Sequence, residues 1–391
     1  MTELAARGEG RLQWIRSRMQ LLAAVRDDFA ARQPFAGMTI GVALHAEPKT
    51  AVLFETLAAG GARVIGTGNH GSTQDDIVAA LATSGITIFG HRDETLDEHM
   101  ADLARTVSEK PDILLDNGAD LTLMSLEAGR GASILGGTEE TTSGGYRLRE
   151  QPDGAVPFPV IVINDSPLKA IAENRHAVGQ SAVESFMRIT NLMVPGRRFV
   201  VVGYGWCGRG VAQYLRALGG RVAVVEIDEL KAFEAAFDGY QVTTIDRLAP
   251  WADVIITATG HAGVLDESVF PLLGDGTVLL NIGHFASEIN VPALKAAADD
   301  IATVGADLER ITFADGRSVI LVADGRMYNL AGVEPKGNSI ESMDLGFMLQ
   351  ALSLERVATE QGSMRPGPQR VPDDIERHIA RRMLEVLDMT R

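Results

Sequence analysis

A single cysteine, Cys207, stands in the 391 residues. No intrachain disulfide can form, and a reducing, cytoplasmic setting is expected. Basic residues are scarce relative to acidic ones, 36 Lys and Arg against 52 Asp and Glu. The resulting net charge of −16 excludes a strong generic grip on nucleic-acid phosphates or on an anionic membrane surface. No uninterrupted apolar run reaches the ~18 residues of a membrane span, and the opening residues lack the basic-then-apolar pattern of a secretory leader. CxxC pairs and HExxH are lacking too, so no metal site is expected. Repeats and low-complexity segments are missing as well. What is present is ample apolar content, 46%, enough for cores in two or three domains at the usual ~100–200 residues each.

Strand and helix patterns alternate along the chain. Residues 11–32 carry apolar positions at helical spacing and predict one amphipathic helix. Short apolar runs follow: MTIGVAL (38–44), ARVIGTG (62–68), ITIFG (86–90), DILLDNG (112–118) and PVIVIND (159–165). Between the first three lie KTAVLFETLAAGG, with a glycine pair as its stop, and TQDDIVAALATSG, a helix opened by Thr73 with Asp75 and Asp76 in its first turn. Such alternation argues for parallel α/β sheets, whose ligands sit beyond the carboxyl ends of the strands. His45, Asn69, Asn117 and Asp165 stand at such ends. A second α/β series begins after the break PGRR (195–198) and runs through RVAVVEID, DVIITATG, TVLLNIGHF and SVILVADG. From about Val371 the tail reads as one charged helix, and the Pro- and Gly-rich GSMRPGPQRVPDD before it reads as a linker. The expected class is α/β, with two doubly wound parallel-sheet domains.

Gly203-x-Gly205-x-x-Gly208 follows an apolar strand and opens a helix. The first glycine permits the tight turn, the second lets a pyrophosphate approach backbone N–H groups, and the third lets helix pack on strand. Glu226 ends the next strand about twenty residues on, where a carboxylate accepts from a ribose 2′-hydroxyl and repels a 2′-phosphate. That context points to NAD rather than NADP. Three other stretches are open on pattern alone. EETTSG (139–144) reads as a solvated helix cap or as part of a site, and NDSPLKAIAEN (164–174) as a surface helix or as catalytic. His284, after a strand and a glycine, reads as structural or functional.

Taken together and in order, LH (44–45) with TAVLFETL, STQDD, LLDNGADLT, EETTSG, NDSPLKAIAEN, GYGWCGRGVAQ, EIDELKAFEAAFDGYQVTT, NIGHF and MYNLAG resemble the S-adenosylhomocysteine hydrolase family, over about Gly10 to Met348. The resemblance implies a substrate domain, a Rossmann NAD-binding domain inserted in it, and a C-terminal segment returning to the first. The expected spans are 1–180, 181–334 and 335–391. It also implies a hydrolase that uses NAD catalytically. NAD takes hydride from a ribose 3′-hydroxyl, the ketone acidifies C4′–H, the 5′ substituent leaves, water adds, and the hydride returns. By the same resemblance Lys169 is the base at the 3′-hydroxyl, Glu140 holds the ribose hydroxyls, Asn174 orients the lysine and the nicotinamide, and His45 serves acid–base work near C5′. The NAD site would be lined by Thr141, Thr142, Ser143, Asn174, Gly203, Gly205, Trp206, Cys207, Gly208, Glu226, Thr259, Ile282, Gly283, His284 and Asn329. His284 also counts among the candidate catalytic groups.

The departures from the family are as informative. Its Asp-Asp-Gly-Gly-Asp is here Asp116-Asn117-Gly118-Ala119-Asp120, and Asn117 cannot accept a proton where the family has a catalytic aspartate. Glu173 replaces an aspartate. Glu47 and Lys49 stand where the family has the Thr and Glu that meet adenine. A Gly-His-Pro near the C-terminal hinge is replaced within VEPKGNSIESMD, and the closing LDMTR does not match the family's Lys-and-Tyr tail, which reaches a neighbouring subunit's NAD. The expected function is therefore NAD-dependent oxidation of a ribose-like 3′-hydroxyl with elimination of a 5′ substituent, water included, which would make a nucleoside dehydratase. The alternatives are adenosylhomocysteinase itself, a non-catalytic NAD-bound paralog, and a plain dehydrogenase that releases NADH. The expected partners are a nucleoside-like small molecule and further copies of the chain, as a dimer or tetramer, with no nucleic acid and no membrane.

Overall fold

A computed structural model describes residues 2–283 and 286–389. His284 lies outside the described residues. The chain divides into two compact units, one of residues 1–170 with 340–391 and one of 171–339. The expected boundaries at 181 and 334 both fall inside the second unit. The strands of the first unit are β1 (Thr39–Ala43), β2 (Arg63–Thr67), β3 (Thr87–Phe89), β4 (Ile113–Asp116), β5 (Gly136–Glu139) and β6 (Pro159–Val162). The second unit holds β7 (Arg198–Val202), β8 (Arg221–Val225), β9 (Gln241–Val242), β10 (Val254–Thr257), β11 (Thr277–Asn281), β12 (Asp300–Gly305), β13 (Leu308–Thr312) and β14 (Ser318–Val322). After it, β15 (Gly367–Arg370) returns to the first unit.

The first sheet has the order β15-β6-β5-β4-β1-β2-β3, parallel throughout. Its order reverses between β4 and β1, the switch point where a doubly wound sheet leaves a crevice for ligand. The stretch that reads as a linker thus contains an edge strand. Pro368 pairs with Val160 at the sheet margin, the one place a strand tolerates a residue without an N–H. The single helix expected over 11–32 is two, Glu3–Arg16 and Gln20–Arg32. The second starts afresh because the Asp344 carboxylate accepts from the N–H groups of Leu21 and Leu22, both at 2.8 Å. That cap comes from more than three hundred residues away and leaves no local signal. The expected helix start at Thr73 is at Asp75, because Thr73 turns its hydroxyl to the Asn69 carbonyl instead.

The second sheet has the order β12-β13-β14-β11-β10-β7-β8-β9. It is mixed rather than wholly parallel, since β13 runs antiparallel to both β12 and β14. Alternate residues of β7 serve opposite faces. Phe199 and Val201 enter one apolar cluster, Val200 and Val202 the other. Burial on both faces is why FVVV reads as a continuous apolar run. Helix Trp206–Ala217 covers one face and lies very close to helix Val178–Thr190. A Cβ on Gly210 would sit 1.9 Å from the Arg175 carbonyl oxygen. Gly210→Ala must push the helices apart and is expected to cost about 1–3 kcal/mol in a urea titration. An unchanged midpoint would show that this contact is slack.

Candidate active site and cofactor site

In the first unit the site residues gather at the switch point. His45 lies just past β1, and its Nδ1 is 2.7 Å from Ser72 Oγ. The Ser72 hydroxyl donates to the Asn69 carbonyl oxygen at 3.0 Å. With that proton committed, Nδ1 of a neutral ring is the donor and Nε2 the basic nitrogen. Asn117 follows β4 directly, and its Oδ1 accepts from Asn69 Nδ2 at 3.0 Å. Beneath it two buried carboxylates pin the turns. Asp116 accepts from the N–H groups of Asn117 and Thr122 at 2.9 and 2.7 Å. Glu139 accepts from those of Gly118, Ala119 and Thr141 at 2.9, 2.9 and 2.7 Å. Burial first, then repulsion by Asp116 in the case of Glu139 and by Asp120 in the case of Asp116, holds both carboxyls above the ordinary carboxylate range.

Glu47 and Lys49 are both buried. Glu47 Oε1 caps helix Pro48–Ala59, accepting from the N–H groups of Lys49 and Thr50 at 3.1 and 3.2 Å. Its Oε2 lies 2.8 Å from Lys49 Nζ. Both oxygens of Glu47 thus accept within the protein, and Lys49 places a buried ammonium beside it.

A second buried cluster joins three elements. Glu140, just past β5, binds the Lys169 ammonium through Oε1 and the Gln350 amide through Oε2. Lys169 and Glu140 are 3% and 5% exposed and Gln350 is fully buried, so this ion pair persists only because hydrogen bonds compensate its lost hydration. Gln350 was not legible as a site residue. It sits mid-helix in Ile340–Glu360, about 210 residues from Glu140, with no local mark. Lys169 opens a π-helical stretch, Lys169–Ala177, a widened form frequent at functional sites. In EETTSG the cap reading describes Thr141, whose hydroxyl accepts from Gly144 N–H at 3.0 Å and donates to Glu139 Oε1 at 2.6 Å. Thr142 is exposed and Ser143 half-buried, its hydroxyl donating to Thr141 Oγ1 at 3.1 Å.

The second unit offers the cofactor cradle. Gly203 has φ +99°, and nothing lies within 4 Å of a Cβ on Gly205. On Gly208 a Cβ would meet the Gly203 carbonyl at 2.0 Å. The helix beginning at Trp206 has no side-chain cap, so its first N–H groups are available to a pyrophosphate. Cys207 is half-buried beside them. Glu226 Oε2 accepts from Tyr204 N–H at 2.6 Å, and Oε1 from the N–H groups of Ile227 and Asp228 at 2.8 and 2.9 Å. The carboxylate thus braces the very turn it faces. Beyond β10, Glu288 holds the N–H groups of Thr259 and Gly260 at 2.9 and 2.6 Å. Ile282 is buried, and Gly283 approaches Glu288 too closely for any side chain. Asn329 donates to Ser181 Oγ at 2.9 Å, while its buried Oδ1 has no partner among the described residues. An orphaned acceptor of that kind fits a carboxamide donor such as nicotinamide. Glu173 is buried and Asn174 half-buried in the π-helical stretch.

This fold, with its glycine turn, the Glu226 carboxylate beside it and an open helix start, defines an NAD-binding α/β protein. Residues 2–133 match the family described as S-adenosyl-L-homocysteine hydrolase, and residues 174–334 match its NAD-binding domain. The chain belongs to the S-adenosyl-L-homocysteine hydrolase family and binds NAD. It is 43% identical to S-inosyl-L-homocysteine hydrolase of Methanopyrus kandleri, over 98% of this chain and 91% of that one. The corresponding protein of Methanothermobacter thermautotrophicus is 42% identical over 98% and 93%. Adenosylhomocysteinase of Thermococcus kodakarensis is 41% identical over 97% and 90%.

Glu226→Ala is expected to loosen NAD by about tenfold or more, because the glycine turn loses the hydrogen bond of Tyr204 N–H to a charged acceptor and the loop after β8 loses those of Ile227 and Asp228. The same change narrows the preference for NAD over NADP. Calorimetry with both cofactors reads this directly, and equal affinity of the unaltered protein for the two would overturn the role of Glu226.

Proposed function

We propose that the protein hydrolyses the 5′-thioether of an S-nucleosyl-L-homocysteine, and that the base it reads is a 6-oxopurine, making S-inosyl-L-homocysteine the preferred substrate. The carrying observation is the Glu47–Lys49 pair. Where the family resemblance sets a glutamate that meets adenine, this chain buries a lysine, paired with Glu47. An ammonium donates to a 6-oxo group and opposes a 6-amino group. The names of two of the relatives agree with that choice.

Bound NAD supplies a hydride acceptor for the ribose 3′-carbon. Glu140, held by Lys169 and Gln350, is suited to accept from the ribose hydroxyls, and Lys169 to hold the 3′-hydroxyl proton. His45, oriented through Ser72, carries protons near C5′. Asn117 can only position, and its amide is already tied to Asn69. The dehydratase reading drew on Asn117, and relatives named as hydrolases favour thioether hydrolysis over it.

The test supplies S-inosyl- and S-adenosyl-L-homocysteine and a 5′-hydroxy nucleoside to the NAD-loaded enzyme, following free homocysteine and product mass. Homocysteine release, fastest from the inosyl thioether, is expected. A product lighter by one water, formed from the 5′-hydroxy nucleoside alone, would restore the dehydratase.

A further inference from the structure

The second unit carries a positive cluster that the proposed reaction does not use. A cavity of about 140 Å³ is lined by three guanidinium groups, those of Arg175, Arg209 and Arg216, in a chain whose net charge is −16. The remaining wall includes Tyr204, Tyr240 and Asp238. Two carboxylates answer the three cations. Glu234 pairs with Arg209, and Asp238 lies beside Arg216, which donates to its main-chain carbonyl oxygen and stacks 4.2 Å from the Tyr240 ring centre. The Asp238 carboxylate itself accepts from the Tyr204 hydroxyl at 2.7 Å. Among the described residues, Arg175 is the cation left over. Its Nε and Nη2 both donate to the neutral Gln213 Oε1, at 3.0 and 2.9 Å. The Arg209 Nε is buried without a partner among the described residues.

One uncompensated guanidinium and one orphaned N–H in a wall of three guanidinium groups call for a compact anion. Guanidinium groups match tetrahedral oxyanions through paired, charge-assisted hydrogen bonds. We propose that this cavity binds a phosphate-type oxyanion, inorganic phosphate or a small phosphate monoester.

The test is calorimetric titration of the NAD-loaded protein, with the cofactor cradle filled so that it cannot take the anion. Inorganic phosphate and glycerol 3-phosphate form the two arms, with acetate at matched ionic strength as control. Saturable binding is expected in at least one phosphate arm, and the tighter arm identifies the source. Arg216→Gln and, separately, Gln213→Leu, which releases Arg175 from its anchor, should each weaken binding by about tenfold. A melting temperature recorded for each variant identifies any that fails to fold, and the other then decides. Absence of saturation in both arms, or binding untouched in a variant that melts as the unaltered protein does, would overturn the site.

Discussion

Lys49→Gln should lower the ratio of kcat/KM for S-inosyl- over S-adenosyl-L-homocysteine by about 10²-fold or more. The lysine is 5% exposed and shares its ammonium with Glu47 at 2.8 Å. A buried cation of this kind can only donate. Facing a 6-oxo group it completes a charge-assisted hydrogen bond, whereas facing a 6-amino group it leaves two donors opposed and desolvated. Glutamine presents either an oxygen or an N–H₂, so it accommodates both bases and flattens the preference. Lys49→Met should instead weaken the inosyl substrate alone. Glu47 keeps its two N–H donors at the helix start in either variant, so the fold is expected to survive. A ratio unmoved by both substitutions would place base recognition elsewhere while leaving thioether hydrolysis intact.

Lys169→Ala should reduce hydride transfer by about 10²–10⁴-fold, the usual worth of a positioned acid–base group, while NAD stays bound. The glycine turn and Glu226, expected to hold the cofactor, belong to the second unit, so deleting the lysine removes none of those contacts. Single-turnover absorbance of bound NADH reads the first effect, and cofactor content of the purified variant reads the second. A stability cost is also expected. Without the ammonium, Glu140 is a buried charge with only Gln350 beside it, a situation that costs about 3–5 kcal/mol. Adding Glu140→Gln should recover much of that stability and none of the activity. Hydride transfer at the unaltered rate in Lys169→Ala would reduce the lysine to a structural counter-ion.

Where chemistry is local, the sequence was legible. The glycine turn needs its three glycines at fixed spacing because backbone must approach backbone: a Cβ at Gly208 would lie 2.0 Å from the Gly203 oxygen. Glu226 sits at a strand end about twenty residues on for the same local reason. The continuous apolar strands announced sheets buried on both faces, and their alternation with helices announced the doubly wound order. His45 and Asn117 are legible as strand-end residues because each follows a short apolar run, β1 and β4, whatever the order of the sheet.

Contacts between distant segments were not legible. Asp344 caps a helix at Leu21, and nothing near either residue marks the partnership. Gln350 holds Glu140 from the middle of a helix in which 344–351 are all buried, so its burial singles out no partner. The edge strand Gly367–Arg370 looks like a linker because edge strands tolerate the Pro and Gly that central strands exclude. Strand β13 runs antiparallel, a choice settled by which neighbours it pairs with. By itself the sequence determined the α/β class, the family and the NAD cradle, because each rests on short-range spacing and backbone geometry. Only the tertiary structure decided that Glu47 spends both oxygens inside the protein and that Lys49 is buried beside it. It alone joined Lys169, Glu140 and Gln350, since burial and pairing depend on which distant segments meet.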